Sequence, residues 1–157
     1  PLRLRRSRRL DRPGRQPLPP NRYRLPLSMP SYTFTRTLDA DFATAEERAT
    51  AALKDEGFGI LTEIDMQATF KKKLDVEMPG YKILGACNPP LAHRAVQAEP
   101  HIGTMLPCNV ILRETGSGQT EVSAVDPVAS MAAIDNADLA EVAGEVRDRL
   151  QRAVEAM

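Results

Sequence analysis

Two cysteines, Cys87 and Cys108, and two histidines, His93 and His101, fall within one 22-residue stretch of this 157-residue chain. These four side chains offer thiol and imidazole groups, which can bind zinc or take part in nucleophilic chemistry. Their order, Cys87-x5-His93-x7-His101-x6-Cys108, lacks the close pairs by which structural zinc sites bring two ligands to one point. No metal and no cofactor is therefore expected. Thiol chemistry is the sharper possibility. Cys87 ends a strand-like run and precedes Asn88-Pro89, so its sulfur can lie close to the free amides of a helix N-terminus, which stabilise a thiolate. Against this, no histidine is placed by spacing to act as its base, and a buried, inert cysteine is the commoner outcome. Cys108 opens a strand after Pro107 and reads as structural.

The carboxylates add Glu63 and Asp65 at the end of a strand, with Glu77 and Asp126 elsewhere. Asp65 is more simply a helix cap than one of an acid/base pair. The chain contains no glycine-rich phosphate loop, no nucleophile elbow and no Ser-His-Asp order.

These residues must be held by the elements around them. "YTFTRT" (32–37) alternates as a half-buried strand does. "TAEE" (44–47) reads as a capping box for a helix over 43–56, with apolar residues at helical spacing and Gly57 as its stop. "FGILTEI" (58–64) is strand-like. Asp65 then caps a short helix with Met66, Phe70 and Leu74 four residues apart and three lysines at its end. A strand over 81–87 leads to Asn88 as cap and Pro89 at the first helical position, and Glu99-Pro100 ends that helix. "CNVILRE" and "TEVSAV" flank the turn-forming "TGSGQ" as a hairpin. Leu139, Val142, Ala143, Val146, Leu150, Ala153 and Val154 stripe a C-terminal helix that Asp135 or Asn136 can cap. The order β-α-β-α-β-α-β-β-α predicts an α+β domain, a single antiparallel-rich sheet with helices packed on it.

The formal net charge of zero hides a split chain. Residues 1–30 hold nine Arg, one Asp and seven Pro, whereas residues 31–157 hold twelve basic and twenty acidic residues. The first segment is expected to be a disordered leader. It reads as text upstream of a natural start at Met29, with a basic arm or a targeting sequence as the other readings. Residues 31–157 are expected to fold as one domain. Its acidic balance argues against nucleic acid as a partner. No apolar run of roughly 18 residues suggests a membrane span, and the sparse cysteines suit a reducing cytoplasm.

Several segments resemble the domain-of-unknown-function 302 family of bacterial and archaeal proteins. They are Gly57-Phe58-Gly59, Thr62-Glu63-Ile64-Asp65, Leu84-Gly85-Ala86-Cys87-Asn88-Pro89, Glu99-Pro100, Pro107-Cys108-Asn109-Val110 and Asp126-Pro127. The resemblance spans roughly residues 32–156. It implies a compact α+β domain similar to a TATA-binding-protein-like arrangement, usually dimeric, and it brings no catalytic residue and no DNA-binding role with it. The two Cys-Asn pairs are expected to line one cleft with Glu63. The expected function is a dimeric small-ligand-binding or accessory protein that holds a small polar or anionic ligand through Glu63, Cys87, Asn88, Cys108 and Asn109. A thiol-dependent enzyme or redox sensor using Cys87 is the alternative, and a protein–protein module working through the sheet face is a third reading.

Overall fold

The structure, a computed structural model, describes residues 32–157. The readings of residues 1–30, including a start at Met29, lie outside the described residues.

Alternation builds β1 (Thr33–Leu38), with Phe34 and Leu38 turned toward the helices and the threonines turned away. Helix α1 (Phe42–Asp55) starts one residue earlier than the sequence suggests. Asp41, not Thr44, is its cap, because its carboxylate accepts the Thr44 amide at 2.8 Å. An ionised acceptor outcompetes the neutral hydroxyl of the expected capping box. Ala45, Ala49, Ala52 and Leu53 form the buried stripe of α1. Gly57 then reverses the chain at φ +85°, and a Cβ there would also lie 2.9 Å from the Asn88 amide nitrogen.

Strand β2 (Gly59–Asp65) carries a bulge between Ile60 and Thr62. Asp65 caps α2 (Met66–Leu74) by accepting the Ala68 amide at 2.8 Å. β3 (Tyr81–Cys87) runs into α3 (Pro89–Ala98), with Asn88 as cap and Pro89 first in the helix. A 3-10 turn over Pro100–Met105 follows, then β4 (Cys108–Glu114) and β5 (Thr120–Val125). A four-residue helix, α4 (Pro127–Ser130), is capped by Asp126, and the long α5 (Ala137–Ala156) by Asn136. The 3-10 turn and α4 are additions to the expected element order.

Among the described residues all pairings are antiparallel, and the five strands lie in the order β1-β5-β4-β3-β2. The expected α+β architecture, one antiparallel sheet with helices packed on it, is the one observed. Leu84, Ala86, Cys108, Val110, Leu112, Val122 and Ala124 point from one sheet face into a core shared with α1 and the C-terminal half of α5. A second cluster joins Leu91, Ala95, Ile102, Met131, Leu139, Val142 and Ala143 between α3, the 3-10 turn, α4 and the start of α5. Val146 packs against both clusters. The seam between the two clusters positions the candidate site.

Candidate functional site

β3 delivers Cys87 to its end, and the next residue must leave the sheet to begin α3. Asn88 makes that change of direction, its side-chain oxygen accepting the Leu91 amide at 3.3 Å. On the neighbouring strand Cys108 lies directly opposite Ala86. Here the two apolar clusters do not quite close. They leave a hollow of about 30 Å³ walled by Cys87, Asn88, Cys108, Leu91, Met131 and Val142, among other apolar side chains. A water needs roughly 10–15 Å³ of such space, so the hollow takes a group of one or two heavy atoms without movement of its walls.

The electrostatics of the hollow favour neutral groups. Burial pushes the Cys87 thiol up from its ordinary value. Burial, and secondarily the nearness of Cys87, pushes Cys108 up to about 11. Both cysteines are free thiols. The helix amides do not offset this desolvation, so neither sulfur is a thiolate near neutral pH. Iodoacetamide is accordingly expected to modify Cys87 more slowly than an unstructured thiol and Cys108 only upon unfolding. Peptide mass spectrometry of briefly treated protein checks this, and a Cys87 that reacts faster than free cysteine would contradict it.

The structure brings Cys87, Asn88 and Cys108 together, but Glu63 and Asn109 do not line the hollow. Glu63 is exposed on the edge strand β2, with its carboxylate 3.8 Å from Lys82 Nζ. Asn109 is exposed and alternates with Cys108, so it points to the sheet face away from the helices. The expected single cleft of all five residues is thus not formed, because alternation along β4 turns Asn109 away and Glu63 stands on the edge strand. Asp65 is committed to capping α2. Glu77 is exposed and pairs with Lys71 at 2.5 Å. Asp126 accepts the Val128 and Ala129 amides and lies 3.3 Å from Arg147 Nε. His93 faces solvent on α3, and His101 is exposed with Nδ1 3.5 Å from Glu99. Among the described residues no group of three or more His, Cys, Asp or Glu side chains is placed to hold a metal ion.

A second opening, of about 320 Å³, lies between Phe42, Asp65, Gln67, Gly80, Lys82 and Glu114. Its polar groups already have protein partners. Lys82 holds both Glu46 oxygens at 2.6 and 2.7 Å, and Glu114 accepts the Gly80 amide at 2.8 Å. That leaves the thiol-flanked hollow as the better candidate. Sequence reasoning missed its apolar walls, Phe58, Leu106 and Met131. The available signal was Asp126-Pro127, a cap and first-turn proline that announce the short helix carrying Met131 toward α5.

The fold and the hollow define a class: a small α+β domain built on one five-stranded antiparallel sheet, with an apolar recess where strand ends meet a helix start. Residues 34–157 match the family described as "Domain of unknown function DUF302", and the chain belongs to that family. Among solved structures it is similar to an uncharacterized conserved protein DUF302 from Bacillus stearothermophilus. The TM-score is 0.73 at 24% sequence identity, over 80% of this chain and 97% of that one. This likeness shows the fold. No curated protein matches the chain.

Proposed function

We propose that this domain is a homodimeric, non-catalytic small-ligand-binding or accessory protein whose ligand places an apolar end in the hollow beside Cys87, Asn88 and Cys108. The observation that carries the reading is the seam itself. Two hydrophobic clusters meet there around small side chains, Ala86, Ala95 and Ala143, which leave space where larger ones would close the core. The flexible Met131 on one wall can give way to a larger guest. The polar or anionic ligand expected from the sequence suits this lining poorly. Asn88 is the one polar amide among the wall residues, and its oxygen is already taken by the Leu91 amide. A head group of either charge would therefore remain at the rim.

The thiol-enzyme alternative needs a thiolate near neutral pH, and the raised values of both sulfurs weigh against it. Free thiols suit a reducing cytoplasm. No helix among the described residues is long and apolar enough to cross a membrane. The acidic balance of residues 31–157 disfavours a nucleic-acid partner.

The test is a thermal-shift series with butyrate and butylamine, which share an alkyl end and differ in head charge. Native mass spectrometry of freshly purified protein accompanies it. A ligand at about a hundred times its Kd adds about 2.7 kcal/mol, a rise of several degrees. Ala95→Leu fills the hollow from α3 and is expected to abolish the response. A wild-type protein that carries no co-purifying compound and shows no shift with any alkyl probe would end this reading.

A further inference from the structure

We propose that β2 and α2 form the surface through which a second copy of this chain docks, an inference that rests on the dimeric reading above and supplies its interface. Four large apolar side chains are exposed within one run of 16 residues. They are Leu61 at 64%, Ile64 at 47%, Leu74 at 65% and Val76 at 47% relative exposure. Among the described residues β2 is an edge strand, with β3 as its neighbour on one side and none on the other, and six of its seven residues are exposed. Long exposed apolar edges are places where another chain adds.

α2 makes the same point independently. Its Met66, Phe70 and Leu74 recur at the spacing of an amphipathic helix, yet Met66 and Phe70 are only half-buried and Leu74 is exposed. A helix of nine residues is marginal in water without tertiary packing of its apolar stripe. Partial packing against β3 and local devices hold it. The devices are the Asp65 cap and the pairing of Lys71 with Asp75 and Glu77, but its C-cap, Asp75, adopts a left-handed φ of 52°. A partner covering the stripe supplies what these devices do not.

Charge selects a second copy as the partner. Residues 31–157 carry twelve basic and twenty acidic groups, so two copies repel over most of their surfaces. Residues 59–77 are nearly balanced, with three lysines against four carboxylates. Lys72 and Lys73 make no ion pair among the described residues, and Glu63 has only its 3.8 Å approach to Lys82. A patch carrying both signs can complement itself about a two-fold axis, as an isologous interface requires. The bulge between Ile60 and Thr62 interrupts a regular edge, so side-chain packing, not one continuous ten-stranded ladder, joins the copies.

Sedimentation equilibrium on the full chain over a concentration series tests this. The wild type is expected at twice its 17.3 kDa mass. Leu61→Lys and Leu74→Glu alter exposed side chains and are expected to keep the monomer's circular dichroism while raising the dimer dissociation constant about 30-fold or more each. Val96→Lys and Val128→Lys change exposed residues outside the patch and are expected to leave it unaltered. A wild type that stays monomeric at every concentration overturns the proposal. So does a dimer indifferent to Leu61→Lys and Leu74→Glu, or one broken equally by the outside pair. The alkyl-probe thermal shift is read separately on the Leu61→Lys monomer, so a silent hollow and a missing interface give different results.

Discussion

Gly85→Ala is expected to lower the unfolding free energy by about 2–3 kcal/mol, a melting loss of roughly 10 °C, although it adds a single methyl group. Gly85 lies on β3 directly opposite Thr62 of β2 and Asn109 of β4. A Cβ at this position would come within 2.2 Å of Thr62 Oγ1 and 2.6 Å of Pro107 Cγ. Neighbouring side chains thus lean over a space that only hydrogen leaves open. Threonine can escape by turning about χ1, whereas the ring of Pro107 has no such freedom. Thr62→Ala added to Gly85→Ala should therefore recover only part of the loss. Urea unfolding of the two variants separates these contributions. An unchanged midpoint for Gly85→Ala would mean that this end of the sheet yields easily, and the wall beside Cys87 with it.

Gly85 also shows what could and could not be read from the residues. As a glycine inside a strand pattern it signals close approach, but which side chains approach depends on the β2 bulge and on the bend at Pro107 that leads into β4. Local signals behaved well. Asn88-Pro89 starts α3, Asp65 caps α2, Gly57 ends α1, and the apolar stripe of α5 is buried as its spacing requires. Each of these is decided by a few adjacent residues. The capping box expected at Thr44 gives way to Asp41, whose carboxylate accepts the Thr44 amide. The candidate site was only half legible. Cys87 and Asn88 are adjacent in sequence, and Cys108 joins them through the pairing of β3 with β4, which no local signal announces. Proximity to strand ends suggests the same cleft for Glu63 and Asn109. The two-residue alternation of β4 turns Asn109 away, and β2 lies at the sheet edge, beyond the helix-covered seam. The apolar walls were hidden for another reason. Leu91, Met131 and Val142 look like ordinary core residues until the meeting of two clusters leaves space between them.

Cys108 gives that seam a measurable signature in alkali. The folded protein keeps its thiol protonated until about pH 11, while the unfolded chain ionises near its ordinary value of 9. Between these values the native state binds the extra proton, so stability falls as pH rises, by about 2–3 kcal/mol over the two units. Cys87, also raised by burial, contributes with the same sign. Lys82 is raised as well, chiefly by its hydrogen bond to Glu46, but its contribution is lost only above the ordinary lysine value of 10.5. The interval from pH 9 to about 10.5 therefore belongs mainly to the thiols. Cys108→Ala removes a buried sulfur and is expected to cost about 1 kcal/mol near neutral pH, where the wild type is the more stable. Because the variant has no thiol at position 108 to ionise, its stability declines less steeply, so the two curves converge and then cross below about pH 11, where the variant becomes the more stable. Urea unfolding at several pH values measures the difference directly. Parallel curves would show that Cys108 ionises as readily in the fold as out of it. The hollow would then be wet and open to hydroxide, and a recess suited to an alkyl group would not exist at that place.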